Sequence, residues 1–195
     1  MTIASSGQSF ELREILLKDK PSLMLQSSPK GTVPVAVIND KLVIDESLEL
    51  MLWVLTKNDP QDWLNNLDDS LEFIFMNDMS FKYWLDRYKY HVGYPEHSQE
   101  YYRDKASEFL VEIEAALSKY DFLVDQLPRL ADVAIFPFVR QFAFVDRSWF
   151  DQSKYSRTRQ WLDYWLNHAL FQAVMKKYQV WDPISAPQQF PEKFK

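Results

Sequence analysis

The sequence of 195 residues contains no cysteine and only three glycines. Without cysteine, the chain can form no disulfide, no thiolate metal site and no cysteine nucleophile. Gly7, Gly31 and Gly93 lie far apart, so no glycine-rich phosphate loop can form. These absences exclude the common nucleotide-binding motifs, and they exclude thiol chemistry by a side chain of this sequence.

Long apolar runs and clustered positive charge are also missing. No apolar run approaches the roughly 18–20 residues of a membrane span, and residues 1–15 lack the basic end and apolar stretch of a signal peptide. The net charge is −6, and the lysines and arginines are scattered, whereas nucleic-acid binding requires them in clusters. We therefore expect a cytoplasmic protein that binds neither nucleic acid nor membranes. A hydrophobic share of 47% is ample for a packed core.

Residues 8–45 carry the β-like runs. The stretch from Phe10 to Leu16 mostly alternates apolar and polar residues, which is typical of a half-buried strand. The run from Val33 to Ile38 predicts a short strand buried on both faces. The Asn39–Asp40 pair predicts a hairpin turn, and residues 42–44 are predicted to form the second strand of the hairpin. Between these strands, residues 21–26 predict a short helix with proline in its first turn.

From Asp45 onward the pattern is helical. Residues 58–60 read Asn-Asp-Pro, which breaks the chain and predicts a boundary between a first domain, residues 1–57, and an all-helical domain, residues 63–195. Apolar spacing predicts about five helices in this second domain, around residues 73–88, 102–117, 131–145, 156–169 and 170–178. Residues 182–195 are polar and proline-rich and predict an extended tail. The predicted fold class is therefore α+β and mostly α.

Four motifs, in order, resemble the cytosolic glutathione S-transferase family. They are ELREILLKDKP, SPKGTVPVAV, DES and, in the helical part, LADVAIFPFVRQFAFVD. The resemblance covers nearly the whole chain. It implies a truncated thioredoxin-like α/β domain, which lacks its first strand, followed by the family's all-α C-terminal bundle. It also implies a homodimer in which each N-terminal domain packs on the helical domain of the partner.

The resemblance assigns glutathione-binding roles to five residues. Val33 would exchange main-chain hydrogen bonds with the cysteinyl part of the ligand, as in β-strand addition. A cis bond to Pro34, which costs only about 0.5–1 kcal/mol relative to trans, would turn the Val33 backbone outward. Glu46 and Ser47 would bind the γ-glutamyl end at a helix start, where free amides favour an anion. Lys30 would add a cationic contact to a ligand carboxylate.

Each of these residues also has a purely structural interpretation. Pro34 can simply shape the turn, and Glu46 and Ser47 are residue types that commonly start helices. The surrounding motifs favour ligand binding. The segment that contains His91, Glu96 and His97 matches no usual spacing of metal ligands, so we expect no metal site.

The central helix of the family's C-terminal domain usually has Ser or Thr as its N-cap, three residues before an Asp. Here Arg129 stands three residues before Asp132. The side-chain cap is therefore expected to be absent, at a cost of about 1 kcal/mol.

No catalytic residue can be assigned from the resemblance. In the family, the first strand leads into a loop with an activating Cys, Ser or Tyr, and residues 1–7 resemble only the end of the following helix. Ser5 and Ser6 lie at the wrong end of that helix to replace this residue. Either Met1 is an internal residue of a longer protein, or the chain is a shortened, non-catalytic relative. We favour the first, because a sheet without its first strand exposes an unpaired edge.

The predicted function is therefore that of a glutathione S-transferase-like protein. Its full-length form would bind glutathione as a substrate and conjugate it to, or exchange it with, small electrophiles. We expect weak or no transferase activity from the 195 residues alone. The alternative is a non-catalytic module of the same fold that binds ligands or partner proteins.

Overall fold

The computed structural model describes residues 1–191, which form two compact units. Unit 1 combines residues 1–60 with the C-terminal segment from Ala169 onward, and unit 2 consists of residues 61–168. The described chain is mostly helical and has two short antiparallel sheets, which confirms the predicted fold class. Within the described part, no helix combines the length and hydrophobicity needed to cross a membrane.

The elements of the first 60 residues alternate between short helices and strands. They are α1 (Thr2–Ser6), β1 (Phe10–Leu12), α2 (Ser22–Ser27), β2 (Ala36–Ile38), β3 (Leu42–Ile44) and α3 (Ser47–Lys57). Unit 2 is helical: α4 (Leu67–Met76), a π-helical turn (Asn77–Phe81), α5 (Lys82–Lys89), a 3₁₀ turn (His91–Gly93), α6 (Gln99–Leu117), α7 (Leu130–Ala143), α8 (Arg147–Gln152) and α9 (Ser156–Asn167). The C-terminal segment adds α10 (Ala169–Val174) and β4 (Gln188–Phe190).

The predicted hairpin is present. β2 and β3 pair antiparallel, with Val37 opposite Val43. Asn39 and Asp40 form the turn with φ angles of 52° and 58°. These two residue types adopt the left-handed conformation more readily than other non-glycine residues, which explains why they turn the chain here.

The expectation that the run from Val33 to Ile38 is buried on both faces is wrong. Val33 is 52% exposed and Val37 is 46% exposed, whereas Ala36 is buried. Within residues 1–191, β2 pairs with only one strand, β3, and α3 packs against β3. A two-stranded sheet covered on one side leaves every second side chain accessible to water.

The predicted extended tail is also wrong for residues 188–190, which form β4. This strand pairs antiparallel with β1, and Phe10 lies opposite Phe190. Nearby, the Trp181 amide donates a hydrogen bond of 2.8 Å to the Glu14 carbonyl. The pairing gives β1 a partner for its backbone groups, which otherwise need water or another strand. The last residues of the predicted tail, 192–195, lie outside the described part of the chain.

Helix α7 is the buried centre of unit 2, as predicted. It packs against α4, α5 and α9. Its buried residues are Leu130, Ala131, Asp132, Val133, Ile135, Phe136, Val139, Phe142 and Ala143. The Phe81 ring lies 4.9 Å from the Phe109 ring and 5.9 Å from the Phe142 ring, so aromatic contacts connect α7 to the neighbouring helices.

Asp132 anchors the start of α7. Its Oδ2 accepts a 2.9 Å hydrogen bond from the Arg129 amide. Its Oδ1 accepts one of 3.1 Å from the Leu123 amide and one of 2.7 Å from Nε1 of Trp161. Burial raises the pKa of Asp132 to about 6, against the opposing effect of these three N–H donors.

A Ser or Thr at the position of Arg129 would accept a hydrogen bond from the Asp132 amide through its side-chain oxygen. The Arg129 guanidinium cannot do so, because it has no acceptor. Instead, its side chain is buried and pairs with Asp125 Oδ2 at 2.7 Å and with Asp62 Oδ2 at 2.9 Å. The missing cap is thus accompanied by ion pairs that connect the start of α7 to the two segments that carry these aspartates.

Candidate functional site

The first backbone amides of α3 have no hydrogen-bond partner within residues 1–191. Glu46 is the extended residue before the helix, and the Leu50 amide donates the first hydrogen bond of the helix, 3.0 Å to the Glu46 carbonyl. The amides of the first turn have no acceptor within a helix, and they give this end a partial positive charge. Ser47, the first helical residue, is exposed, and its hydroxyl has no hydrogen-bond partner within residues 1–191. This end of α3 can therefore bind an anionic group.

Lys30 joins the two acids that precede α3. Its Nζ lies 2.9 Å from Asp45 Oδ1 and 2.7 Å from Glu46 Oε1. Ser28 is buried, and its hydroxyl donates a 2.6 Å hydrogen bond to Asp45 Oδ2. The hydrogen bonds from Lys30 and Ser28 lower the pKa of Asp45, and those to Asp45 and Glu46 raise the pKa of Lys30. Lys30 is thus paired with both acidic residues that precede α3.

Val33 offers free main-chain groups. The peptide bond between Val33 and Pro34 is cis. Neither the amide nor the carbonyl of Val33 has a hydrogen-bond partner within the described residues, and the residue is 52% exposed. An N–H and a C=O that are both unpaired on an exposed residue can pair with an extended peptide, as in β-strand addition.

Val33 also lines a cleft of unit 1. The cleft has a volume of about 140 Å³. Its apolar walls include Ile15, Met24, Val33, Val35, Val37 and Trp181. Arg13 also lines the cleft, and its guanidinium carbon lies 5.0 Å from the centre of the Trp181 ring. A residue of the C-terminal segment, Trp181, and three alternate residues of one run, Val33, Val35 and Val37, therefore line the same space.

Lys30 and Glu46 are in contact, and Ser47 follows Glu46 directly. Asp45 pairs with Lys30, and Ser28 donates a hydrogen bond to Asp45. Nothing in the sequence pattern assigns a role to these two residues, although they lie in the motifs SPKGTVPVAV and DES. Trp181 had no signal in the sequence, because its contacts with Arg13 and Glu14 span most of the chain. No group of three or more His, Asp or Glu side chains in the described residues is arranged to hold a metal ion.

Comparisons with known proteins agree on one family. The family model for the glutathione S-transferase N-terminal domain matches residues 1–62, and the model for the glutathione S-transferase C-terminal domain matches residues 78–163. No curated protein sequence matches the chain.

Solved structures with a similar fold include three glutathione transferases of distant sequence. One, from Phanerochaete chrysosporium, was solved in complex with oxidized glutathione; it is 19% identical with a TM-score of 0.76, and the match covers 89% of this chain and 86% of that chain. Glutathione transferase F7 from Populus trichocarpa is 16% identical with a TM-score of 0.73, over 89% of each chain. A glutathione S-transferase from Rhodospirillum rubrum is 16% identical with a TM-score of 0.72, over 95% of this chain and 88% of that chain. At these identities the comparison with solved structures shows a similarity of fold alone.

Proposed function

Because the chain belongs to the glutathione S-transferase family, we propose that unit 1 binds glutathione, the tripeptide γ-Glu-Cys-Gly. The observation that carries this proposal is the exposed Val33, whose amide and carbonyl are both unpaired within residues 1–191. A peptide ligand needs such a pair of main-chain groups to bind in extended form.

The charges around α3 support the same ligand. The γ-glutamyl end of glutathione carries one carboxylate and one ammonium group. The Ser47 hydroxyl and the first amides of α3 suit the carboxylate, and Glu46 suits the ammonium. Lys30 then leaves Glu46, to which it is bonded at 2.7 Å, and becomes available to another carboxylate of the ligand. The site thus favours a ligand that carries both charges over a simple anion.

The reaction that such binding serves is conjugation, in which the glutathione thiolate attacks a small electrophile, or exchange of glutathione with such an electrophile. The sequence has no cysteine, so the thiolate in this reaction is that of the ligand. We place this activity in the cytoplasm, where the reduced thiol persists.

A homodimer is supported by an exposed apolar stripe on unit 2. Phe75, Met79 and Tyr83 lie on consecutive turns and are 63%, 66% and 49% exposed. Contiguous apolar side chains of this kind mark interaction surfaces on proteins. We propose that the stripe packs against a second copy of the chain, and light scattering should then report twice the mass of 23.3 kDa.

Titration calorimetry with glutathione tests the proposed site. We expect saturable binding that Ser47→Ala and Glu46→Ala each weaken by about 10-fold, because each removes a hydrogen bond to a charged group. Glu49→Ala is the matched control, since it removes an acidic residue from the same first turn, beyond the predicted site.

The proposal fails if no heat of binding appears at millimolar glutathione. It also fails if Glu49→Ala weakens binding as much as Glu46→Ala, because the effect would then reflect net charge. In the first case, the non-catalytic module of the same fold becomes the better description.

A further inference from the structure

Two segments of unit 1 present unpaired main-chain groups at the same cleft. Arg13 and Ile15 line the cleft from the segment that follows β1. Val33 and Val35 line it from the segment that precedes β2. The amide and the carbonyl of each of these four residues have no hydrogen-bond partner within residues 1–191. Such main-chain groups need water or another strand as a partner.

The alternation of a strand indicates which edge of each segment is open. Neighbouring residues of a strand direct their main-chain groups to opposite edges. The Glu14 carbonyl accepts a 2.8 Å hydrogen bond from the Trp181 amide, so the C-terminal segment occupies that edge. Arg13 and Ile15, on either side of Glu14, therefore direct their groups to the other edge. In the described part of the chain, β2 has β3 as its one neighbour, which leaves the second edge of β2 open.

The cleft itself suits apolar side chains. Its volume of about 140 Å³ is close to that of engineered cavities of about 150 Å³ that bind benzene, so side chains on one face of a strand can enter it. The Ser27 hydroxyl at the cleft donates a 2.9 Å hydrogen bond to the Leu23 carbonyl. Nε of Arg13 donates one of 2.8 Å to Glu11 Oε1. An occupant therefore needs main-chain donors and acceptors together with apolar side chains, which is the chemistry of an extended peptide.

A second copy of the chain has no suitable strand to offer. Within residues 1–191 each strand is already paired, β1 with β4 and β2 with β3. Insertion between two open edges requires a segment whose main chain is free on both edges. The complementary segment is therefore one from a different polypeptide.

We propose that the cleft binds an extended apolar segment of a different polypeptide by β-strand addition. The added strand pairs with Ile15 on one edge and with Val35 on the other, and it joins the two sheets of unit 1 into one. The proposal does not rest on glutathione binding, and its experiments are carried out without glutathione.

The first experiment titrates the 195-residue chain with the neutral heptapeptide acetyl-TVTVTVT-amide in a calorimeter. We expect saturable binding. Two analogues serve as matched controls, one with N-methyl groups on the valines and one with N-methyl groups on the threonines. Because alternate residues face opposite edges, each analogue loses its hydrogen bonds to one segment, and each should bind at least about 10-fold more weakly.

The second experiment locates the added strand by amide hydrogen exchange, measured by NMR with and without the heptapeptide. The amides of Ile15 and Val35 should exchange more slowly in the complex, whereas the amide of Leu17, which does not line the cleft, should not change. Ile15→Pro removes one of these amides and should weaken binding at least about 5-fold. Leu17→Pro is the matched control, and circular dichroism verifies that both variants are folded.

Each remaining outcome overturns the proposal. Absence of heptapeptide binding does so, as does binding that leaves exchange at Ile15 and Val35 unchanged. If only one N-methylated analogue binds more weakly, the peptide adds to a single edge and the site between two edges is wrong. If the amides of Ile15 and Val35 become protected without peptide as the protein concentration rises, a second copy occupies the cleft instead.

Discussion

Replacement of Asp132 by alanine should destabilise unit 2 in a way that depends on pH. The side chain accepts hydrogen bonds from the Leu123 amide, the Arg129 amide and Nε1 of Trp161, and all three residues are at most 4% exposed. Each buried donor that loses its acceptor costs about 2 kcal/mol, or about 6 kcal/mol for the three.

The buried charge of Asp132 offsets part of this loss at neutral pH. Burial raises the pKa of Asp132 from 3.8 to about 6. Ionisation of the folded protein at pH 7 therefore costs about 3 kcal/mol relative to the unfolded chain, a cost that the alanine variant lacks. The expected loss of unfolding free energy is about 3 kcal/mol at pH 7.

The sign of the pH effect follows from the raised pKa. The contribution of Asp132 to stability is largest below its unfolded pKa, and it falls as pH rises through the folded pKa. The difference in unfolding free energy between wild type and Asp132→Ala should therefore be larger at pH 5 than at pH 7, by roughly 1 kcal/mol. Urea unfolding followed by circular dichroism, at both pH values, measures it.

Trp161→Phe tests the same hydrogen bond from the side of the donor. In the wild-type chain it removes one donor to the carboxylate and should destabilise the fold. In the Asp132→Ala background it removes an orphaned donor and should be neutral or stabilising. Additive effects of the two changes would refute the reasoning, as would a loss under about 1 kcal/mol for Asp132→Ala.

Two further predictions concern other parts of unit 2. Glu114 accepts hydrogen bonds from the Arg157 amide and from the amide and hydroxyl of Thr158, so Glu114→Gln should cost about 1–2 kcal/mol, unlike the exposed control Glu112→Gln. Burial opposes the ionisation of Glu114, but these hydrogen-bond donors lower its pKa overall. The difference in unfolding free energy between wild type and Glu114→Gln, measured by urea unfolding, should therefore shrink as pH falls toward 4. A difference that stays constant with pH contradicts this prediction. Met79→Glu should halve the mass seen by light scattering if the apolar stripe is the dimer interface, and an unchanged mass excludes that surface.

Local signals predicted the elements that depend on neighbouring residues. β3 has the predicted bounds, and the Asn39–Asp40 turn follows from residue types that tolerate positive φ. Helix α8 was missed although Asp146 caps it by accepting from the Trp149 amide, because six residues show no periodicity. The π-helical turn at Asn77–Phe81 is not predicted, because the apolar residues around it keep a spacing of three and four, which is also typical of an α-helix.

Contacts between distant segments could not be predicted in the same way. Gln188, Gln189 and Phe190 have no strand pattern of their own, and β4 exists because β1 provides a template. The candidate site was partly predictable, since Lys30, Glu46 and Ser47 stand in recognisable motifs. The cleft was not, because Trp181 reaches it from the other end of the chain.

The pairing of β1 with β4 also orders events during biosynthesis. β4 leaves the ribosome about 180 residues after β1, which at about 5–20 residues per second is a delay of about 10–40 s. Unit 2 is complete in the nascent chain before the partner of β1 has been translated. The helical unit is therefore expected to fold first, and during this interval the N-terminal strand is the segment that most needs a chaperone.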